Sequence, residues 1–133
     1  MTEVSSKPVA KESIGRGKIY DDITQTIGNT PLVKLSRFSS LMGLKANVLA
    51  KIEFFNPAGS IKDRPAIAMI ESMIENGKIG PDTEIIEATS GNNGVACAWI
   101  CALKKIPLTI VIPEHMSIER RKLIKHFVAK LVL

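Results

Sequence analysis

The sequence predicts an α/β fold in which a parallel sheet is flanked by helices. The first observation is the order of elements: short runs rich in branched residues alternate with segments of helical periodicity. The second is the place of two unusual loops, residues 56–60 and 88–94, which each lead from a predicted strand region into a predicted helix. In sheets of this kind, ligands bind where such loops leave the carboxyl ends of the strands.

The first half of the chain contains three predicted elements. A short helix is predicted over residues 20–27, before a Gly-Asn turn. Two strands are predicted over residues 31–35 and 46–53. In the second strand, apolar and polar residues alternate, so its apolar side chains would share one face.

The second half alternates regularly between strands and helices. Apolar residues recur at helical spacing in three segments, and branched residues mark the strands between them. Gly77 is expected to end the first helix, and Ser117 to begin the third. The crossovers should be right-handed. The predicted elements are helix 60–76, strand 83–87, helix 94–105, strand 107–112, helix 117–127 and strand 130–133. The strand over residues 46–53 precedes them, and it is expected to begin the parallel sheet.

Composition excludes several classes of function. A chain of 133 residues with 45% hydrophobic and 23% charged residues is typical of a folded domain. The net charge is +5, but aromatic residues are only 5%, and basic residues do not alternate with them, which argues against nucleic-acid binding. No apolar segment is long enough to cross a membrane. Residues 1–18 are polar and of mixed charge, and they are predicted to be a disordered tail without a secretory or transit signal.

The two cysteines predict no metal site and no disulfide scaffold. Cys97 and Cys101 lie four positions apart in an apolar segment, so both would face the core of one helix as buried thiols. A metal site would need more ligands. The absence of a disulfide framework favours a reducing, cytoplasmic compartment.

The first unusual loop places a lysine at the start of a helix. Asn-Pro and Ala-Gly pairs predict a tight turn, and Ser60 with Asp63 resembles a capping box. Lys62 would then lie in the first helical turn, where the helix dipole favours the neutral amine that attacks an aldehyde. On this loop alone, an ordinary surface lysine remains the favoured interpretation.

The second loop, residues 87–94, brings hydroxyls, amides and backbone N–H groups to a helix N-terminus. This combination can receive a carboxylate or phosphate, and the glycines allow a ligand to approach the backbone. An N-capping turn explains the same composition, so an anion site is only weakly favoured. The loop matches neither the Walker motif nor the dinucleotide fingerprint.

Taken together, the two loops resemble those of a known enzyme family. Residues 56–64, Asn-Pro-Ala-Gly-Ser-Ile-Lys-Asp-Arg, are similar to the cofactor-lysine motif of the cysteine synthases, which are pyridoxal-phosphate (PLP) enzymes. Residues 89–92, Thr-Ser-Gly-Asn, resemble their substrate-carboxylate loop. Residues 27–33 and 116–121 are also similar, and the resemblance extends from about Tyr20 to the last residue. It implies PLP fold type II, the tryptophan synthase β-like fold.

The resemblance implies specific roles for residues of both loops. Lys62 would carry PLP covalently and would act as the catalytic base. Asn92 would hydrogen-bond the 3′-hydroxyl of the cofactor. The family usually has threonine where this chain has Asn93, which puts substrate affinity and loop closure in question. The substrate carboxylate would be held by Thr89, Ser90, Gly91 and Asn93.

The implied reaction is a β-replacement. Acetate would leave O-acetylserine by β-elimination, and sulfide would add to give L-cysteine, in a transferase that acts as a homodimer. The residues leave open whether the donor is O-acetylserine, O-phosphoserine or serine. Two alternatives also stay open: a cystathionine β-synthase-like enzyme, and a non-catalytic remnant that serves as a binding module.

Several family features are expected outside these 133 residues. They are the glycine-rich phosphate loop, the residue that contacts the pyridine nitrogen, and the larger domain. The last residues, 131–133, read as an unfinished strand, and on this ending alone a C-terminal edge strand explains the pattern equally well. With the resemblance, it predicts that a C-terminal domain is missing. Residues 19–133 are therefore interpreted as an N-terminal part, mostly the smaller domain. The isolated chain is expected to be inactive and to retain PLP weakly.

Overall fold

The computed structural model describes residues 17–89 and 91–133. Residues 1–16 of the predicted disordered tail lie outside this range, as does the predicted site residue Ser90. The elements, in chain order, are a 3₁₀ helix Ile23–Thr26, β1 Leu32–Lys34, α1 Ser36–Leu41, β2 Leu49–Lys51, a second 3₁₀ helix Glu53–Phe55, α2 Asp63–Glu75, β3 Ile85–Ala88, α3 Asn92–Lys104, β4 Leu108–Val111, α4 Ile118–His126 and β5 Lys130–Val132.

The second half forms the predicted parallel sheet. Its strands lie in the order β3-β4-β5, and both pairings are parallel. Ile85 lies opposite Leu108, and Thr109 lies opposite Lys130. Helices α3 and α4 supply the crossovers between neighbouring strands. The predicted α/β architecture with a parallel sheet is therefore confirmed.

The first two strands form a separate antiparallel pair. β2 was expected to begin the parallel sheet, and this prediction is wrong: Leu32 of β1 lies opposite Lys51 of β2 in a two-stranded sheet. Parallel strands are normally covered on both faces, whereas Leu32 and Leu49 are more than half exposed here. Antiparallel pairing tolerates that exposure.

Two local features differ from the predicted elements of the first half. Helix α1 was not predicted, and the helix expected over residues 20–27 is a short 3₁₀ helix. Asp22 caps that helix, since its carboxylate accepts a hydrogen bond from the N–H of Thr24 at 2.7 Å. No helix in the described residues is both long enough and apolar enough to cross a membrane.

The core is centred on α3, whose residues 94–101 are all buried. Three isoleucines surround this helix from different elements: Ile70 of α2, Ile110 of β4 and Ile124 of α4. Each is at most 2% exposed. Burial of a side chain of this size stabilises a fold by about 1.5–3 kcal/mol. The core therefore fixes where α3 begins. The glycine-containing loop, residues 89–94, leads directly into this helix.

Two predicted helix ends are confirmed. Gly77 follows α2 with φ +65°, a conformation that glycine adopts without strain, and its N–H donates to the carbonyl of Ile74 at 3.0 Å. Ser117 precedes α4, and its hydroxyl accepts a hydrogen bond from the N–H of Arg120 at 3.4 Å.

Candidate functional site

The two unusual loops meet at the hydroxyl of Ser60. This oxygen accepts a hydrogen bond from the backbone N–H of Lys62 at 3.2 Å and another from the side-chain amide of Asn92 at 3.3 Å. Ser60 is buried, with 7% of its surface exposed. Lys62 and Asn92, on different helices, are therefore each one hydrogen bond from the same atom.

Lys62 lies at the very start of α2. Its backbone is helical (φ −68°, ψ −17°), and the helix proper begins at Asp63. The Lys62 side chain is exposed, and no atom of residues 17–89 or 91–133 accepts a hydrogen bond from its Nζ. Its amine is therefore accessible to a ligand.

The predicted capping box between Ser60 and Asp63 is wrong. The Ser60 hydroxyl binds the N–H of Lys62, and the Asp63 carboxylate does not reach back to Ser60. Instead, Oδ2 of Asp63 accepts a hydrogen bond from the N–H of Ala58 at 2.7 Å, and Oδ1 accepts one from the indole Nε1 of Trp99 at 3.0 Å. The indole N–H of Trp99 would otherwise be buried without a partner, and this cost outweighs the local preference for a capping box.

Asp63 connects the lysine loop to the core. Its side chain is completely buried, and such a carboxylate is costly unless it is well hydrogen-bonded. Trp99 is the single tryptophan of the chain and lies in α3. The aspartate thus ties the residue next to Lys62 both to its own loop and to the central helix. The sequence reasoning missed this role, although a lone tryptophan in a helix of small apolar residues was a usable signal.

A second set of contacts holds the other side of the loop. Arg64 forms a two-pronged ion pair with Glu53: Nε lies 3.0 Å from Oε2, and Nη2 lies 3.0 Å from Oε1. Nη2 also donates to the hydroxyl of Thr30 at 3.2 Å. Hydrogen bonding by Arg64, helped by Asn56 and Thr30, lowers the pKa of Glu53 to about 2, against a smaller opposing effect of desolvation. The same pair raises the pKa of Arg64.

Asn56 and Gly28 complete this set of contacts. Asn56 is buried, and its Oδ1 accepts a hydrogen bond from the N–H of Gly28 at 2.8 Å. Its Nδ2 donates to the backbone carbonyl of Glu53 at 2.7 Å and to Oε2 of the same residue at 2.8 Å. Gly28 has φ +81°, and a Cβ there would lie 2.7 Å from Nη1 of Arg64. The segment 27–33 therefore packs directly beneath the lysine loop.

The glycine-containing loop opens α3. The hydroxyl of Thr89 accepts a hydrogen bond from the N–H of Gly91 at 3.3 Å, and the N–H of Thr89 donates to the carbonyl of Val111 at 3.1 Å. Gly91 is the N-cap, and a Cβ built there meets no described atom within 4 Å. Gly94 is different, because a Cβ there would lie 2.6 Å from Cγ2 of Thr89.

The two asparagines of this loop point to different partners. Asn92 is exposed, and its amide donates to Ser60, whereas the half-buried Asn93 donates to Oε1 of Glu87 at 2.9 Å. The first N–H groups of an α-helix have no partner within the helix, and they carry its positive dipole end. The start of α3 can therefore attract an anion beside Lys62. The contacts that Ser60, Asp63 and Glu87 make here with side chains of α3 were not predicted from the sequence.

Known proteins resemble almost the whole described chain. Residues 23–133 match the family described as pyridoxal-phosphate dependent enzyme. Cysteine synthase B from Campylobacter jejuni is 47% identical over 116 residues, which are 87% of this chain and 37% of that protein. Cysteine synthase from Staphylococcus aureus is 48% identical over 116 residues, with the same two shares. The chain therefore spans little more than a third of the length of these relatives.

Solved structures superpose on the same region. Cysteine synthase from Entamoeba histolytica has a TM-score of 0.88 at 38% identity, and the match covers 96% of this chain and 38% of that one. O-ureido-L-serine synthase has a TM-score of 0.80 at 39% identity, covering 87% of this chain and 36% of that one. These superpositions confirm the predicted fold class, PLP fold type II.

Proposed function

Because this chain belongs to the family of pyridoxal-phosphate dependent enzymes, we propose that residues 19–133 are the N-terminal part of a cysteine synthase. The whole protein would replace the acetoxy group on Cβ of O-acetylserine with sulfide: the Cβ–O bond breaks, acetate leaves, and the sulfur adds at Cβ to give L-cysteine. The names of the relatives support this reaction over the cystathionine β-synthase-like and non-catalytic alternatives.

The observation that carries the proposal is the hydrogen-bonded junction at Ser60. It sets the accessible amine-bearing residue Lys62 beside the side chain of Asn92 and the N-terminus of α3. An amine, an amide donor and a helix start that attracts anions are the groups needed to hold an aldehyde cofactor and the carboxylate of an amino acid.

The residues at this junction fit the proposed cofactor. Lys62 offers an exposed primary amine to its aldehyde, and Asn92 offers an N–H donor to its ring hydroxyl. A Cβ at Gly91 would meet no described atom within 4 Å apart from its chain neighbours, so there is open space at this position. When bound, PLP supplies an electron sink for the charge that develops at Cα of the substrate.

We assign the remaining steps to residues of this chain. Lys62 would hold the cofactor and, once its amine is released, would take the proton from Cα of the substrate. Asp63 and Arg64, which follow it directly, would keep the start of α2 in place. The substrate carboxylate would be bound by the second loop through Thr89, Ser90, Gly91 and Asn93.

The relatives' length bears on the isolated chain. Because this chain spans only about 37% of the length of Cysteine synthase B, many contacts to the cofactor would come from other residues of the whole protein. We propose that the isolated chain is inactive and retains PLP weakly, and that the whole protein is a cytoplasmic homodimer.

The role of Lys62 can be tested on the chain itself. After incubation with PLP and reduction with borohydride, peptide mapping should find the reduced cofactor mainly on Lys62, because its backbone is linked through Ser60 to Asn92, at a helix start that attracts anions. Lys62→Arg should lose this label. Lys78→Arg, at an exposed position beyond the other end of α2, should keep it. Equal labelling of several exposed lysines in the unaltered chain would contradict the assignment.

The reaction is tested on the whole protein. It should form cysteine from O-acetylserine and sulfide, and Lys62→Ala should lower kcat by at least roughly a hundredfold, because general-base catalysis alone contributes that much. The Lys78→Ala protein should retain full activity. A whole protein that is active with Lys62 replaced by alanine would exclude this mechanism.

A further inference from the structure

The Asn93 side chain is turned towards a carboxylate of the protein itself. Its Nδ2 lies 2.9 Å from Oε1 of Glu87. A carboxylate only accepts hydrogen bonds, so the NH2 group of the amide, and not its oxygen, must face Glu87. One of the two N–H bonds of Asn93 is therefore engaged before any ligand arrives.

Glu87 is directed at the first turns of α3. It lies on β3, on the same face as the half-buried Ile85. Asn93 and Cys97 are four positions apart and share one face of α3. Burial, with a further contribution from the Glu87 charge, raises the pKa of Cys97 to about 12. The carboxylate thus acts on two residues of that helix face.

The charge of Glu87 is not neutralised by a cation in the described part of the chain. The two ion pairs found within residues 17–89 and 91–133 join Arg64 to Glu53 and Lys104 to Glu71. Glu87 therefore presents a negative charge next to a loop whose helix start attracts anions.

A ligand carboxylate on Asn93 would lie close to that charge. The second N–H bond of a planar amide diverges from the first by about 120°, so two acceptors on one nitrogen lie about 5 Å apart. This separation is shorter than the screening length of about 8 Å at physiological ionic strength, so the two carboxylates repel each other.

We propose that Glu87 is a specificity-determining residue for ligands bound at the start of α3, residues 91–94, because Asn93 holds a ligand carboxylate close to its charge. It opposes the binding of a carboxylate and raises the KM for the amino-acid substrate. The inference rests on the proposed function, which makes this loop the carboxylate site. A threonine at position 93, usual in the family that the sequence resembles, has a single hydroxyl proton and could not serve Glu87 and a ligand together.

Two small ligands of similar shape, only one of which has a carboxylate, can test the proposed repulsion. L-alanine and L-alaninamide differ only in whether the carboxylate is replaced by a neutral amide, and their binding can be followed by NMR shifts of the amides at residues 91–94 in the chain. Glu87→Gln should strengthen L-alanine binding roughly threefold to tenfold at low salt, as expected for removal of a like charge at this distance. L-alaninamide binding should not strengthen, because this probe has no carboxylate for Glu87 to repel and its ammonium group is attracted by the Glu87 charge.

Added salt and a control variant test whether charge repulsion causes the gain in L-alanine affinity. The gain for L-alanine should shrink as salt is added, because screening already weakens the repulsion. Glu75→Gln makes the same charge change at an exposed position of α2, and it should leave the affinity for both probes unchanged.

In the whole protein, Glu87→Gln should lower the KM for O-acetylserine while kcat stays within about twofold, since uniform binding changes KM alone. Equal gains for both probes, no gain for L-alanine, or no shifts at residues 91–94 in any variant would overturn the inference. A whole protein that forms no cysteine would instead contradict the proposed function, because the ratio of the two probe affinities is measured without catalysis.

Discussion

The lysine loop, residues 56–64, and the glycine-containing loop, residues 89–94, meet at Ser60 but are held in different ways. The first is fixed by charged groups on both sides: buried Asp63 binds Ala58 and Trp99, and Arg64 binds Glu53. In the second, each described residue that makes a side-chain contact does so through a single hydrogen bond: Gly91 to Thr89, Asn92 to Ser60, and Asn93 to Glu87.

This difference matches what each loop is proposed to do. A residue that carries a cofactor covalently must keep one position, which requires side chains locked by a second layer of contacts. A loop that receives an anion through backbone N–H groups works with fewer side-chain contacts, and glycine keeps its surface open. The contrast predicts that substitutions beneath the lysine loop destabilise the chain more than substitutions in the other loop.

The largest effect is expected at Asp63. In Asp63→Asn, the amide can accept through one oxygen only, and its NH2 group would face a second N–H donor in a buried site. The free energy of unfolding should fall by about 2–4 kcal/mol. Urea unfolding followed by far-UV circular dichroism measures this loss.

The matched control is Asp82→Asn, which makes the same chemical change at an exposed position. It should alter the free energy of unfolding by less than about 0.5 kcal/mol. If the two variants were equally stable, the hydrogen bonds of Asp63 would not stabilise the lysine loop.

A smaller effect is expected from acid acting on Glu53. Its pKa is lowered from 4.5 to about 2 by the contacts with Arg64, so the folded state favours the carboxylate. A group with a depressed pKa stabilises the fold fully above its unfolded pKa, and this stabilisation is lost as pH falls from about 4.5 towards about 2. The stability difference between the unaltered chain and Glu53→Gln should therefore shrink across that window.

The exposed Glu75 provides the comparison for this experiment. The pH dependence of Glu75→Gln should run parallel to that of the unaltered chain, because its carboxylate has no such partner among the described residues. A pH-independent difference between the chain and Glu53→Gln would show that the Arg64 contact contributes no linked stability.

What could be predicted from the sequence was local. Strand and helix positions in the second half, the end of α2 at Gly77 and the start of α4 at Ser117 follow from periodicity and from turn chemistry within a few residues. The motif resemblance then predicted the fold class and the two loops that meet.

What could not be predicted depends on partners far away in the chain. The contact of Asp63 with Trp99 spans 36 positions, and that of Arg64 with Thr30 spans 34. The Ser60 and Asp63 pattern indicated a capping box, but the Asp63 carboxylate instead accepts hydrogen bonds from the N–H of Ala58 and the indole of Trp99. The direction of β2 was predicted wrongly because the strand–helix order that follows it is that of a parallel sheet, although the polar–apolar alternation of residues 46–53 is typical of antiparallel strands.

The smallest effects come from three glycine substitutions that compare the loops directly. Gly28→Ala forces a left-handed residue to carry a Cβ and places it 2.7 Å from Nη1 of Arg64. Gly43→Ala imposes the same backbone strain at φ +59° with nothing within 4 Å, and should cost about 1 kcal/mol. Because the Arg64 side chain can move only by loosening its bonds to Glu53, Gly28→Ala should cost about 1 kcal/mol more than Gly43→Ala.

Gly91→Ala completes the series in the other loop. Gly91 has φ −124°, which any residue adopts, and its Cβ would meet no described atom within 4 Å. Its thermal unfolding should match that of the unaltered chain to within about 0.5 kcal/mol. We expect Gly28→Ala to be the most destabilising, Gly43→Ala the next and Gly91→Ala the least. This order would support tight packing of Gly28 against Arg64 of the lysine loop and open space at Gly91 in the glycine-containing loop. A Gly91→Ala loss as large as that of Gly28→Ala would mean that the second loop is as tightly packed as the first.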